Sequence, residues 1–286
     1  MTQKADIPYI FFGSPEFAVS VLKQLQSANL PPSLVVTAPD RKRGRGQDLQ
    51  PTPVKRWSQN QGIDTVTPES VNQEFLQKLK KRVPNDAEWP LFVVVAYGQI
   101  LPNEVIYYPD HNTLNLHPSL LPRVRGAAPI RGAILEEDKT GVSVIELDEK
   151  MDHGPIVAQK EVSTGEWPPY YDKLKPKLAK AGGRLLAETL PEWVAGNIEA
   201  ISQDHTNASY VGKFDSDDGK IDFSDPAETN LRKIRAFTDW PKAHFYHGDN
   251  RVIITKAHRE DGELIIDKVK TSGHTVMDYE GFQKQF

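Results

Sequence analysis

The sequence predicts an α/β protein: a mostly parallel, Rossmann-like sheet followed by a smaller β-containing region. Three observations predict this. Short apolar runs alternate with amphipathic segments from residue 7 to about residue 195. The run PLFVVVAYG at 90–98 is nearly all apolar, as a central strand buried on both faces should be. Residues 202–225, SQDHTNASYVGKFDSDDGKIDFSD, are polar and rich in turn formers, which places a boundary there. The expected domains are therefore 1–201 and 202–286.

Each element follows from its own residues. IPYIFFG at 7–13 is a short apolar run ending in glycine and reads as a buried strand. SPEF then opens a helix, with Ser14 as N-cap, Pro15 in the first turn and Glu16 favouring the positive helix end. Phe17, Val21, Leu22 and Leu25 keep its apolar face. SLVVTA at 33–38 is a second strand that stops at Pro39, and a polar, basic loop runs to about residue 52. VKRWSQNQ and QEFLQKLKKR are amphipathic helices. TLNLH at 113–117 and GVSVIELD at 141–148 are further strands. A long helix spans roughly 170–195, with Leu174, Leu178, Leu185, Leu186 and Leu190 on one face. Pro176 and Gly182-Gly183 are its expected break points. DPAETNLRKIRAF reads as a capped helix ended by Trp240-Pro241, and RVIITKA and ELIIDKV as two strands.

Composition excludes several classes. There is no cysteine, so disulfides, thiolate metal sites and cysteine nucleophiles are ruled out. The net charge is −4, so any nucleic-acid contact must come from a local basic patch. The opening MTQKADIPYIFFG lacks a signal-peptide pattern, and no apolar run approaches the roughly 18 residues needed to span a bilayer. The expected location is the cytoplasm.

Three stretches could carry chemistry. In NTLNLHPSLLPRVRGAAPI, Asn115 and His117 are two apart on a strand and so share a face. Ligands of open α/β sheets bind at the carboxyl ends of strands. An amide and an imidazole there could stabilise an oxyanion and handle a proton. The alternative is a hydrogen-bonded asparagine beside a satisfied core histidine. In KMDHGPI, Asp152 could orient His117 and favour its charged form, or simply form a turn. His153 has no second ligand at metal-binding spacing. In PDRKRGRGQDLQPTPVKR, Arg41, Lys42, Arg43 and Arg45 crowd into five residues, with Lys55 and Arg56 following. That loop could meet phosphates or merely be solvated. Gly13-Ser14-Pro15 is a strand-to-helix turn, but neither a dinucleotide nor a P-loop fingerprint is present.

Taken together, FFGSPEFA, TAPDRKRGRGQDLQPTPVK, VVVAYGQILP, NLHPSLLPRVRGAAPI, GVSVIELDEKMDHGPIVAQ and IRAFTDWP resemble, in order, the folate-dependent formyltransferases, and among them the branch acting on methionyl initiator tRNA. The resemblance implies a formyltransferase fold with a C-terminal OB-like barrel, which in this chain looks pruned by roughly two strands. It implies a catalytic triad of Asn115, His117 and Asp152, and 10-formyltetrahydrofolate as co-substrate with no metal. It puts folate against Tyr97, Gln99, Ile100, Leu101, Ser119, Leu120, Leu121 and Pro122, mainly through backbone groups at 99–101. It puts tRNA against Arg41, Lys42, Arg43, Arg45 and Lys55. Pro118 departs from the glycine usual in that branch, though HPS is frequent among its relatives. A monomer is expected. A sugar-nucleotide N-formyltransferase, a formyl-folate hydrolase and a non-catalytic folate- or tRNA-binding descendant share parts of the pattern.

Overall fold

The computed structural model describes residues 7–44, 47–82 and 89–285. Arg45, one of the expected tRNA contacts, lies outside the described residues. In chain order the strands are β1 (Tyr9–Gly13), β2 (Leu34–Val36), β3 (Arg41–Arg43), β4 (Asp48–Gln50), β5 (Thr65–Val66), β6 (Leu91–Val95), β7 (Thr113–His117), β8 (Arg125–Gly126), β9 (Gly141–Glu146), β10 (Ile156–Glu161), β11 (Tyr210–Val211), β12 (His244–His247), β13 (Asn250–Glu260), β14 (Glu263–Lys270) and β15 (Met277–Asp278). The α-helices are α1 (Glu16–Ser27), α2 (Pro53–Asn60), α3 (Gln73–Lys80), α4 (Asn103–Ile106), α5 (Pro129–Glu136), α6 (Tyr171–Val194), α7 (Ala227–Ala236) and α8 (Tyr279–Gln285).

The chain forms two compact units. The first comprises the chain to Arg125, Gly141–Val162 and Pro176–Ser209; the second takes Gly126–Thr140, Ser163–Lys175 and Tyr210–Phe286. The units are thus discontinuous in sequence.

The first unit holds a seven-stranded sheet in the order β10-β9-β7-β6-β1-β2-β5. The five strands from β7 to β5 are parallel to their neighbours. β9 runs antiparallel to β7, and β10 antiparallel to β9. β1 and β6 are buried at every position, which fits helices on both faces. One face packs Ile10, Phe12, Phe92 and Val94 with Phe75, Leu76 and Leu79 of α3 and with Val105 and Ile106 of α4. On the other, α6 passes unbroken through Pro176 and the glycine pair. The two glycines allow close approach instead of ending the helix. A Cβ on Gly182 would sit 2.6 Å from Leu116 of β7, and one on Gly183 2.7 Å from Gln24 of α1.

The chain leaves β1 toward β2 and β5, then returns to lay β6 and β7 on the opposite side. The strand order therefore reverses between β1 and β6, where open α/β sheets bind ligands. Ser14 marks this point. It is not the cap of α1, whose N-cap is Pro15 with no side-chain bond. Its hydroxyl donates to Tyr97 O at 3.0 Å and accepts from Ala38 N at 3.3 Å, tying together the loops after β1, β2 and β6.

The basic loop also differs from expectation. Its arms pair as a β3–β4 hairpin, Arg41 opposite Gln50 and Lys42 opposite Leu49. Its base is fixed by Thr52, which caps α2 by accepting from Lys55 N at 3.0 Å and shares a buried 2.7 Å bond with Thr37. Thr52→Ala removes both. It is expected to cost about 1–2 kcal/mol in urea unfolding; a change below a few tenths would mean the cap contributes nothing.

The second unit contains a four-stranded antiparallel sheet, β12-β13-β14-β15. Phe245 of β12 meets Phe223, Tyr279 and Phe282 edge-on. In α7, Arg232 donates to the carbonyls of Ile134 and Glu137 and so satisfies the C-terminal end of α5. The N-cap of α7 is Pro226, without a side-chain bond, where a capped start was expected.

Candidate active site

β7 presents alternate residues to its two faces. Leu114 and Leu116 point into the core, and Thr113, Asn115 and His117 share the other face. β7 coincides with the predicted TLNLH, because strict alternation is the least ambiguous strand signal.

A cavity of about 450 Å³ opens at this face. Asn115 and Asp152 line it, together with Gln99, Ile100, Leu101 and the 147–151 segment. Ile100 is 89% exposed and Met151 61%, so two bare apolar side chains flank the opening. That volume suits a flat heterocycle, within the range usual for small-molecule sites. The Gln99 side chain turns away from the cavity. Its Oε1 accepts from Val71 N and its Nε2 donates to Pro68 O.

His117 stands behind the cavity wall, buried. Its Nδ1 lies 3.3 Å from Asp152 Oδ1, and its Nε2 2.9 Å from Val124 O. Both partners offer oxygen acceptors, so the ring contacts Asp152 and the Val124 carbonyl from its two nitrogens. Asp152 sits at φ 52°, a left-handed conformation that aspartate tolerates better than most residues. Asn115, His117 and Asp152 are thus brought together, with Asn115 and Asp152 facing the cavity.

Ser119, Leu120, Leu121 and Pro122 do not line the cavity. They form a turn fastened by two residues that carry no signal of their own in the sequence. Ser143 of β9 donates to Ser119 O at 2.7 Å and accepts from Leu121 N at 3.2 Å. Gln159 of β10 donates to Leu121 O at 2.9 Å and to Ser143 Oγ at 2.8 Å. β9 runs antiparallel to β7 and sets Ser143 opposite His117, and β10 sets Gln159 opposite Ser143, so both reach the carboxyl end of β7. Tyr97 is likewise in the core, its ring edge-on to Phe12 at 5.5 Å, and burial pushes its phenol pKa up.

Of the basic residues, Arg41 and Lys42 are exposed on the hairpin, with Leu49 68% exposed on the facing strand. Lys55 instead pairs with Asp40 at 2.7 Å. His153 bonds Asp148 at 2.6 Å and stacks on His205, ring centres 4.0 Å apart. Burial, then the nearby His153 and Arg125, lower the His205 pKa. Among the described residues, no group of three or more His, Asp or Glu is arranged to hold a metal ion, and no helix is long and apolar enough to cross a membrane.

Asn115, His117 and Asp152 thus meet at the carboxyl edge of a doubly wound sheet, where open α/β sheets bind ligands. Comparison supplies the class: residues 7–190 match the formyl transferase family and residues 213–284 its C-terminal domain, so the chain belongs to the formyltransferases. It is 43% identical over 251 residues to a methionyl-tRNA formyltransferase of Sulfurihydrogenibium sp. (strain YO3AOP1), covering 87% of this chain and 79% of that one. It is 39% identical to the enzyme of the same name from Thermodesulfovibrio yellowstonii, covering 88% and 80%. An N-formyltransferase from Helicobacter canadensis, solved with folinic acid and dTDP-3-aminofucose, shares the fold at TM-score 0.62 and 17% identity, covering 93% and 96%.

Proposed function

We propose that this enzyme moves a formyl group from 10-formyltetrahydrofolate to the α-amino group of methionyl initiator tRNA. The observation that carries the reading is the convergence of Asn115 and Asp152 on one cavity, with His117 bonded to Asp152 behind it. The relatives named for methionyl-tRNA support the acceptor, and the folinic acid in the Helicobacter canadensis enzyme supports the donor. The amine attacks as the neutral base. A C–N bond forms to the formyl carbon, and the carbonyl electron pair moves onto oxygen. The Asn115 amide donates to that oxyanion. The Nε2–H of His117 joins it by giving up the Val124 carbonyl. The bond from the formyl carbon to the folate nitrogen then breaks. Asp152, through water, returns the amine's proton to that nitrogen.

The folate stack falls to Ile100 and Leu101, with Gln99 contributing its backbone and the Ser119–Pro122 turn meeting the donor beyond the cavity. The Arg41–Lys42–Arg43 hairpin, with Arg45, meets the acceptor arm; Lys55 supports it through Asp40. The division at 201–202 falls between the two matched family spans. On this reading a reduced C-terminal sheet leaves more of the tRNA affinity to the hairpin.

Incubating the protein with the folate donor and, separately, charged initiator tRNA, an amino-sugar nucleotide or buffer alone tests this directly. Formyl-methionyl-tRNA should form fastest. Faster formylation of the sugar would favour the second reading, suggested by the sugar nucleotide in the Helicobacter canadensis enzyme, and donor loss in buffer alone would favour hydrolysis. Neutralising Arg41, Arg43 and Arg45 together should raise KM for the tRNA and flatten its salt dependence. The log–log slope should fall by roughly 0.7–0.9 for each phosphate no longer neutralised. An unchanged slope would remove the hairpin from the interface.

A further inference from the structure

We infer that Gln203, held by the buried Arg125, is a positioning residue that fixes Asp152 and His117 relative to one another. The inference rests on the functional reading above for what those two residues do. It rests on geometry for the rest.

Gln203 is 5% exposed, and its amide has no unused hydrogen-bonding capacity. Nε2 donates to Asp152 O at 2.9 Å and to Gly154 O at 2.7 Å. Oε1 accepts from Arg125 Nε at 3.2 Å and Nη2 at 2.6 Å. Two donors and two lone pairs are all an amide offers. The orientation is therefore forced. A flipped amide would face two carbonyl oxygens with an oxygen and a guanidinium with an NH₂.

Arg125 is 1% exposed, and its Nη2 also donates to His205 Nδ1 at 2.9 Å. Burying a guanidinium is costly unless its N–H groups are satisfied. Here the cost is borne where it joins the two backbone points that grip the imidazole. On one side, Val124 O bonds His117 Nε2, and the 124–125 backbone is bound by Ser209. Val124 N donates to Ser209 Oγ at 2.9 Å, and Arg125 N to Ser209 O at 2.8 Å. On the other side, Asp152 bonds His117 Nδ1, and its turn is held by Gln203. Residues 203–209 thus clamp both neighbours of the ring. No side chain of that segment need touch a substrate for the clamp to set the distance across which the imidazole works.

Gln203→Glu keeps the acceptor for Arg125 but replaces the two donor bonds with a carboxylate against two carbonyls. Gln203→Met keeps the shape and removes both sets. With histidine labelled by ¹⁵N, and the His117 ring signals assigned by their loss in His117→Ala, both variants should show displaced His117 ring resonances while the fold persists by circular dichroism. In formyl transfer, kcat should fall about 10- to 100-fold, with KM for the folate donor within about twofold of wild type. Unchanged His117 resonances in both variants would overturn the inference. So would loss of the fold in both, which would make Gln203 a folding residue only, or a KM effect without a kcat effect. If the unaltered enzyme formylates none of the acceptors, the functional reading fails, and the resonance comparison still decides the positioning role.

Discussion

His117→Ala is expected to fold, to bind the folate donor with near-normal affinity, and to transfer formyl groups about 10³-fold more slowly. Two contributions vanish together. An N–H aimed at developing negative charge contributes about 10²–10³ in kcat, and proton handling by a positioned side chain contributes a similar amount. The two act through one ring, so they do not multiply in full. Asn115→Ala removes only a donor and should cost about 10²-fold. The fold should survive both. Asn115 is only half-buried, and the core face of β7 is carried by Leu114 and Leu116, which neither substitution touches. Donor binding measured by fluorescence or calorimetry, beside single-turnover transfer, separates the steps. Near-normal turnover by His117→Ala would remove the ring from the chemistry.

The second large effect is expected at Gly154. A Cβ there would run into Glu146 O and stand 3.0 Å from Glu146 C, both backbone atoms at the end of β9. No side-chain rotation relieves this, so the 152–154 turn must lift away. Gly154→Ala should lose about 1–3 kcal/mol of stability, the usual range for overpacking. It should also lose about 10²-fold in kcat, since Asp152 travels with the turn. The two effects should arise together in urea unfolding and in turnover at 25 °C. Destabilisation with full activity would show that Asp152 keeps its place without the turn.

Much of this was legible in the sequence, for identifiable reasons. β7 and β6 were readable because alternation in one and unbroken apolarity in the other are direct records of burial. The β3–β4 hairpin was not, since Arg-Lys-Arg opposite Asp-Leu-Gln has neither pattern and is held by backbone pairing alone. Ser14 has the right identity and place for a cap, yet the reversal of strand order gives its hydroxyl better partners. Gly182 and Gly183 look like breaks until Leu116 and Gln24 are seen against them. Asn115, His117 and Asp152 could be nominated from residue type and position. The bonds that arrange them could not. Val124 meets His117 through a backbone carbonyl, and Ser143 and Gln159 reach the Ser119–Pro122 turn only through the antiparallel pairing of β9 with β7 and of β10 with β9.

The clamp on the imidazole has a consequence for synthesis. Ser209 follows Val124 by 85 positions, and Gln203 follows Asp152 by 51. A ribosome therefore releases Asn115 and His117 well before the residues that secure them. Contacts so distant along the chain form late, after their loop-closure entropy has been met. The nascent enzyme holds its reactive side chains in an unfinished arrangement until the segment beyond residue 203 emerges. A chain halted between 161 and 202 would carry all seven strands of the main sheet and still be inert.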